Sequence, residues 1–424
     1  MRGPYEAICN GYGRLSSHGP LSVTIATNTP DWLVASTALG PMPVGNRIMD
    51  LLDLAVMVFR IERLLPSRRP SNPYARYELT MPVSDPFIWN GKSGETLARL
   101  LSFLGRASWD IKFVQRPKSA RQYAMAAPLP GTRKSVALLS GGLDSAAGFG
   151  AGFVVASDTQ ACGYYTRQRT GQLEIAQLLR FAPPSQWRAH AESGRGRSFY
   201  YRSFLFLALA AATASSFGAR TLIQFENGIL ASAIPPVPST IMTRHAHPRL
   251  HQLFTELIGS LTGEQWTVLN PLLFLTKRQA VQAMEKNIGK ALADTITSKT
   301  QTCWNLFAPH AFGVRKFDRQ IKRPGTPCGV CIPCIVRRTA IPAERFAFDL
   351  DRESVRNHAK LGAHFLEYLE FLTAIADERS AAGVRHVLPA EALDLIDDEW
   401  FSLDQMAALL KRFAKEFRDT FDLK

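Results

Sequence analysis

The sequence predicts an α/β protein: a doubly wound parallel sheet, preceded by an α+β accessory domain and followed by a helical extension. Three observations carry this. Between residues 132 and 342, short apolar β-like runs alternate with helical patterns, the order that builds parallel sheets covered by helices. A glycine-containing turn, Ser140–Ser145, follows the first of those runs and opens a helix. From residue 343 onward the apolar spacing is helical and the charge changes sign: 39 Lys/Arg against 19 Asp/Glu before that point, 11 against 17 after it. The expected division is therefore 1–125, 132–342 and 343–424.

In the first stretch, Leu21–Ala26 reads as a strand, and a helix is expected from Asn46, a good N-cap, to Leu65, with Pro66 just past its end. Tyr77–Val83 and Trp109–Val114 read as strands around the helix Glu95–Leu104, which Gly105 stops. Tyr123–Lys134, with Pro128, Pro130 and Gly131, reads as a connecting loop. In the middle stretch, Ser135–Leu139, Asp158–Tyr165 and Thr221–Phe225 are the expected strands. Gln172–Leu179, Tyr201–Phe217, Leu250–Ser260 and Lys277–Lys286 are the expected helices. The last stretch reads as helices over Glu353–Ala376, Pro389–Glu399 and Leu403–Thr420.

Composition excludes several classes. With 46% hydrophobic and 20% charged residues, and 29 Gly and 26 Pro in 424, the chain is neither disordered nor fibrous. It lacks the apolar run of about 18 residues that a membrane helix needs. Its first dozen residues do not show a basic-then-apolar leader, so a cytoplasmic location is expected. The net charge of +14 suits a polyanionic partner or a nucleotide substrate. Ser67–Arg69 and Arg195–Arg202 are too interrupted to form a basic tract, so nucleic acid is not the favoured partner.

Ser140-Gly-Gly-Leu-Asp-Ser145 is the most informative stretch. Gly141 and Gly142 let backbone N–H groups approach an anion, and the N-terminus of the following helix adds donors and a favourable dipole. Leu143 completes the turn, Ser140 and Ser145 supply hydroxyls, and Asp144 can hold a Mg²⁺ on a pyrophosphate. Asp144 and Ser145 are expected to face solvent. An ordinary βα turn is the bland alternative.

Four of the six cysteines lie between residues 303 and 334. Cys303 and then Cys328-Gly-Val-Cys331-Ile-Pro-Cys334 suit a closed tetrahedral Zn²⁺ of the structural kind, with an iron–sulfur cluster as the alternative. Cys9 and Cys162 are bystanders in this reading; Cys162, inside a strand, acts as a small hydrophobe.

The Ser-Gly-Gly-Leu-Asp-Ser turn resembles the PP-loop of the N-type ATP pyrophosphatases, and the Gly-Lys-Ser/Thr of a Walker A loop is missing. With the four cysteines about 160 residues later, the chain resembles the 7-cyano-7-deazaguanine synthase (QueC) family over Lys134–Thr339, half its length. Tyr164–Gln177 with Gln168 and Glu174, Arg202-Ser203-x-x-Phe206, Asn270-Pro271-Leu272 and Thr276-Lys277 match in the same order. The chain departs from the biosynthetic pattern after the third strand. There it reads Glu226-Asn227-Gly228 and Thr243-Arg244-His245-Ala-His247-Pro248, which resembles the longer QueC-like proteins of bacterial anti-phage operons such as Qat and type IV CBASS.

The resemblance implies cleavage of ATP to AMP and pyrophosphate, which adenylates a carboxylate, expected on a 7-deazaguanine. An amine, either ammonia or the N-terminus of a partner protein from the same operon, then displaces AMP. Lys277 is similar to the family's lysine over the phosphates. Arg202, at a helix start, can neutralise the α-phosphate or the leaving pyrophosphate. Glu226 and Asn227, beyond a strand end, can read a purine-like edge through donor and acceptor pairs. Arg244 and His247 can bind a substrate carboxylate or serve in acid–base chemistry. The alternatives are a biosynthetic 7-cyano-7-deazaguanine synthase, a tRNA-modifying PP-loop enzyme, and a non-catalytic nucleotide-binding assembly subunit.

Overall fold

The structure is a computed structural model. It describes residues 4–9, 19–25, 34–64, 76–116, 129–164, 168–189, 200–236, 242–303, 326–359, 361–397 and 399–423. Pro66, the basic stretch 67–69 and the first half (123–128) of the expected connecting loop lie outside the described residues, as do residues 195–199. The chain forms two compact units, neither of them continuous in sequence. The first comprises Met1–Ser140, Val154–Gln224 and Thr243–Asn270, and the second Gly141–Phe153, Phe225–Met242 and Pro271–Lys424.

The strands all belong to the first unit: β1 (Pro4–Cys9), β2 (Gly19–Ile25), β3 (Val34–Ser36), β4 (Arg76–Val83), β5 (Ser108–Gln115), β6 (Ser135–Leu138), β7 (Thr159–Tyr164), β8 (Ser185–Ala189), β9 (Thr221–Ile223) and β10 (Thr267–Leu269). Its helices are α1 (Asn46–Leu64), α2 (Pro86–Ile88), α3 (Gly94–Gly105), α5 (Arg169–Leu178), α6 (Arg202–Phe217) and α8 (Pro248–Thr262). The second unit holds α4 (Leu143–Gly150), α7 (Gly228–Ala231), α9 (Lys277–Ile288), α10 (Lys290–Lys299), α11 (Ile332–Ala340), α12 (Glu353–Arg356), α13 (Ala363–Asp377), α14 (Ala381–Val387), α15 (Ala390–Leu393) and α16 (Leu403–Thr420).

The main sheet runs β10-β9-β6-β7-β8-β3, parallel except at β3, which is antiparallel to β8. The five parallel strands flanked by helices make an α/β fold compatible with a doubly wound core. Val136 and Ala137 in β6 are fully buried, as a central parallel strand requires. Helix α6 packs on this sheet and is apolar almost all round. Phe204, Leu205, Leu207 and the alanines 208, 210, 211 and 212 are within a few per cent of fully buried, so it is a core helix. A second sheet, β1-β2-β4-β5, is parallel throughout. In the main sheet, order reverses at β6, with β7 on one side and β9 on the other. Such a switch opens a ligand crevice at the carboxyl ends of the strands.

Two expected helices differ from the fold. Glu353–Ala376 is split into α12 and α13, because the chain doubles back at Gly362, where a Cβ would sit 1.7 Å from the Arg356 carbonyl oxygen. Only 390–393 of Pro389–Glu399 is helical. Asp397 pairs with Phe401 through the backbone, and its carboxylate accepts from the Glu399 N–H at 2.8 Å, a local competitor of helix. Leu403–Thr420 forms α16 as expected, with Met406, Leu409, Leu410, Phe413 and Phe417 buried. Phe417 stacks on Phe365 of α13 at 5.6 Å.

Candidate functional site

Gly141 follows β6 with φ of 81°, a conformation that strains any residue with a side chain. Gly142, with φ −87° and ψ 167°, is the N-cap of α4, and as a glycine it has no side chain of its own to cap this end. The first turn of α4 brings its N–H groups and the positive end of its dipole beside the glycine turn, with Asp144 in that turn. The Ser145 hydroxyl donates to the Gly142 carbonyl at 3.0 Å.

Asp144 and Ser145 do not face solvent as expected: they are 8% and 2% exposed. The reason is that every residue of α4, Leu143 included, is buried within the second unit. Asp144 consequently needs partners, and it has them. Lys277 Nζ contacts its Oδ2 directly, and Asn227 Nδ2 donates to its Oδ1 at 3.0 Å. The same Asn227 nitrogen donates to Glu226 Oε1 at 3.0 Å, while Asn227 Oδ1 caps α7 by accepting from the Leu230 N–H at 3.4 Å.

Lys277, 1% exposed, is the first residue of α9. Its helix start is fixed by a capping box between Thr276 and Gln279. Burial pushes the Asp144 carboxyl up to about 6; Lys277 opposes this and the neighbouring Glu226 carboxylate adds to it. Two carboxylates, one ammonium and a helix N-terminus are suited to an anion that brings its own cation.

The other expected residues belong to the first unit. Ser140 is exposed, and its carbonyl accepts from Gln172 Nε2 at 3.3 Å. Arg202 opens α6, exposed, with its guanidinium 5.9 Å from the Phe206 ring centroid. Arg244 donates to the Phe103 carbonyl at 3.0 Å and lies over the Phe103 ring at 4.8 Å. His247 is fully buried as the N-cap of α8: its Nδ1 accepts from the Arg249 N–H at 3.2 Å, and its ring lies 5.3 Å from Phe103. Sequence reasoning passed over Gln224 and His251. The His251 Nε2 lies 3.0 Å from Gln224 Oε1, while Gln224 Nε2 donates to the His245 carbonyl at 3.0 Å. With the Gln224 amide oriented in this way, His251 Nε2 is the donor. Burial, with His245 nearby, lowers its pKa to about 4.

The four cysteines come together in the second unit. Cys303, Cys328, Cys331 and Cys334 are all buried, and their sulfurs lie within 4.8 Å of one another. Cys328 Sγ and Cys334 Sγ are 3.8 Å apart, far beyond the roughly 2.05 Å of a disulfide and close to the edge of a thiolate tetrahedron around a metal. Backbone N–H groups point at the sulfurs: Cys328 N–H at Cys303 Sγ (3.2 Å) and Val330 N–H at Cys328 Sγ (3.5 Å). Such donors stabilise thiolates. The site is built to hold a metal ion such as zinc.

No protein-family model matches this chain, and no curated protein matches it.

Cys162, the expected bystander, is buried in β7 with its sulfur 3.5 Å from Thr213 Oγ1. A surface cavity of about 530 Å³ in the first unit is lined by Trp89, Glu95, Trp109, Asp110 and Phe113, among others, and by none of the expected site residues. Among the described residues no helix is long and apolar enough to cross a membrane.

Proposed function

We propose that the chain is an ATP-dependent ligase of the PP-loop type, which adenylates a carboxylate and passes the acyl group to an amine. One observation carries the reading. Asp144 and Lys277, the residues that the resemblance to 7-cyano-7-deazaguanine synthases puts on the phosphates, contact each other although they are 133 apart in sequence. They do so at the helix N-terminus that follows the Gly141 turn, a kind of position that favours phosphate groups.

In this reading a substrate carboxylate oxygen attacks the α-phosphorus of ATP, the bond to the β-phosphate bridging oxygen breaks, and pyrophosphate leaves. The amine nitrogen then attacks the acyl carbon, AMP departs with the bonding electron pair, and the amine proton goes to solvent. Lys277 exchanges its contact with Asp144 for a phosphate oxygen, and the first-turn N–H groups of α4 hold the remaining charge. Ser145 supplies a hydroxyl to the phosphates; for Ser140 and Arg202, both in the first unit, roles at the phosphates and the leaving group rest on the sequence alone. Asp144 would hold Mg²⁺, since each of its carboxylate oxygens keeps a lone pair after its protein hydrogen bond. Mg²⁺ would supply neutralisation of the pyrophosphate charge.

The carboxylate is on a 7-deazaguanine, read by Glu226, whose carboxylate Asn227 holds by hydrogen bond; for Arg244 and His247, both in the first unit, a substrate role rests on the sequence alone. The acceptor is ammonia or the N-terminus of a partner protein in an anti-phage operon, and the work is cytoplasmic. The four-cysteine site holds Zn²⁺ structurally. Incubation of the purified chain with ATP, Mg²⁺, 7-carboxy-7-deazaguanine and an ammonium salt should yield AMP and pyrophosphate. ADP and phosphate as products would exclude adenylation, and no turnover while nucleotide still binds would replace this reading with that of an assembly subunit.

A further inference from the structure

Residues 300–303 form a short segment with three attachments inside the second unit. The Gln301 N–H donates to the Gly141 carbonyl at 3.0 Å, in the turn where φ is positive. On either side of Gln301, the hydroxyls of Thr300 and Thr302 accept from Arg337 Nη1 at 2.8 and 3.0 Å. One residue further on, Cys303 joins the thiol cluster.

Arg337 stands three residues after Cys334 on α11 and is 2% exposed. Its remaining donors go to Glu344 at 2.5 and 2.9 Å and to the Thr297 carbonyl at 3.3 Å. A buried guanidinium with all of these partners satisfied is a rigid clamp. Cys303 comes from a different part of the chain than Cys328, Cys331 and Cys334, so a metal would tie residues 300–303 to α11 at the same place that Arg337 does. The backbone that supplies a metal ligand is thus the backbone that supports the glycine turn.

We propose that residues 300–302, clamped by Arg337, are a positioning element that couples metal occupancy of the four-cysteine site to the shape of the Gly141 turn, so that metal and nucleotide bind cooperatively. This rests on the ATP-binding reading above and adds to it a form of regulation. Metal loss releases Cys303, the Gln301–Gly141 hydrogen bond loses its support, and the turn no longer holds the phosphates in place. By reciprocity, nucleotide tightens the metal by the same factor.

The test is the apparent zinc affinity of the full-length protein, measured by competition with a chelator, with and without magnesium-complexed α,β-methylene ATP. Nucleotide should raise zinc affinity by about fivefold or more. In the double variant Thr300→Val, Thr302→Val, which leaves the Arg337–Glu344 pair intact, both ligands should still bind while the enhancement disappears. Zinc affinity indifferent to a nucleotide that calorimetry shows to be bound would overturn the coupling and leave the ATP reading standing. So would an enhancement that persists in the double variant. Failure of the wild type to bind the nucleotide would overturn both.

Discussion

Lys277 Nζ and Asp144 Oδ2 are in contact at the first turn of α4, with both side chains at least nine-tenths buried. A buried ion pair of this kind contributes little net stability as a pair, but removal of one partner leaves a charge without compensation.

Lys277→Met should therefore show a pH-dependent loss of stability. Without the ammonium, the Asp144 carboxyl, already at about 6, moves further up. A carboxyl raised in the folded state contributes its stability below the unfolded value, and that contribution is lost as pH rises through the folded value. The variant should be close to wild type at pH 5 and destabilised by about 2–3 kcal/mol at pH 8 in denaturant titrations. Equal losses at the two pH values would show that the pair carries no buried charge.

Ser145→Ala separates folding from ligand binding. The hydroxyl makes a local bond to the Gly142 carbonyl, so stability should fall by about 1 kcal/mol or less. If the hydroxyl turns to a phosphate when nucleotide arrives, the KM for ATP should rise about tenfold, the effect of roughly 1.4 kcal/mol. An unchanged KM would take Ser145 out of the site.

Much of this site was legible in the sequence. The strand–turn–helix at 135–150 is local, since a buried apolar run and two consecutive glycines are enough to mark it, and the C-x-x-C-x-x-C spacing marks the metal ligands equally well. The Asp144–Lys277 contact was not legible. It depends on how α4 and α9 pack, and nothing local marks Asp144 as buried. The role of His247 did leave a signal: Pro248 directly after it is the residue favoured at the first position of a helix, which makes His247 the N-cap. Strand β8 was missed because Ser-Gln-Trp-Arg-Ala has neither alternation nor a β-branched run, although Trp187 is buried at 2%.

His251 should make the first unit acid-labile. A histidine whose folded value is lowered contributes its stability above its unfolded value of 6.5 and loses it as pH falls toward the folded value of about 4. Over that window the wild type should lose about 3 kcal/mol that His251→Gln, which can still donate to Gln224, does not lose. Parallel pH profiles for the two proteins in denaturant titrations would refute the neutral, buried assignment.

Purified protein should carry about one zinc, and Cys331→Ser should lower both metal content and thermal midpoint, because metal binding is folding free energy. Cys162→Ser, in β7 and outside the cluster, should keep its zinc. Retention of metal by Cys331→Ser would exclude the four-thiol site.

The most direct measurement is exchange of labelled pyrophosphate into ATP by wild type and by Asp144→Asn, with 7-carboxy-7-deazaguanine present. Adenylation at the Gly141–Ser145 turn predicts carboxylate-dependent exchange in the wild type and a loss of about a thousandfold in Asp144→Asn, the order reached when charge stabilisation of a transition state is removed. Equal exchange by the two folded proteins, or none by the wild type, would contradict it.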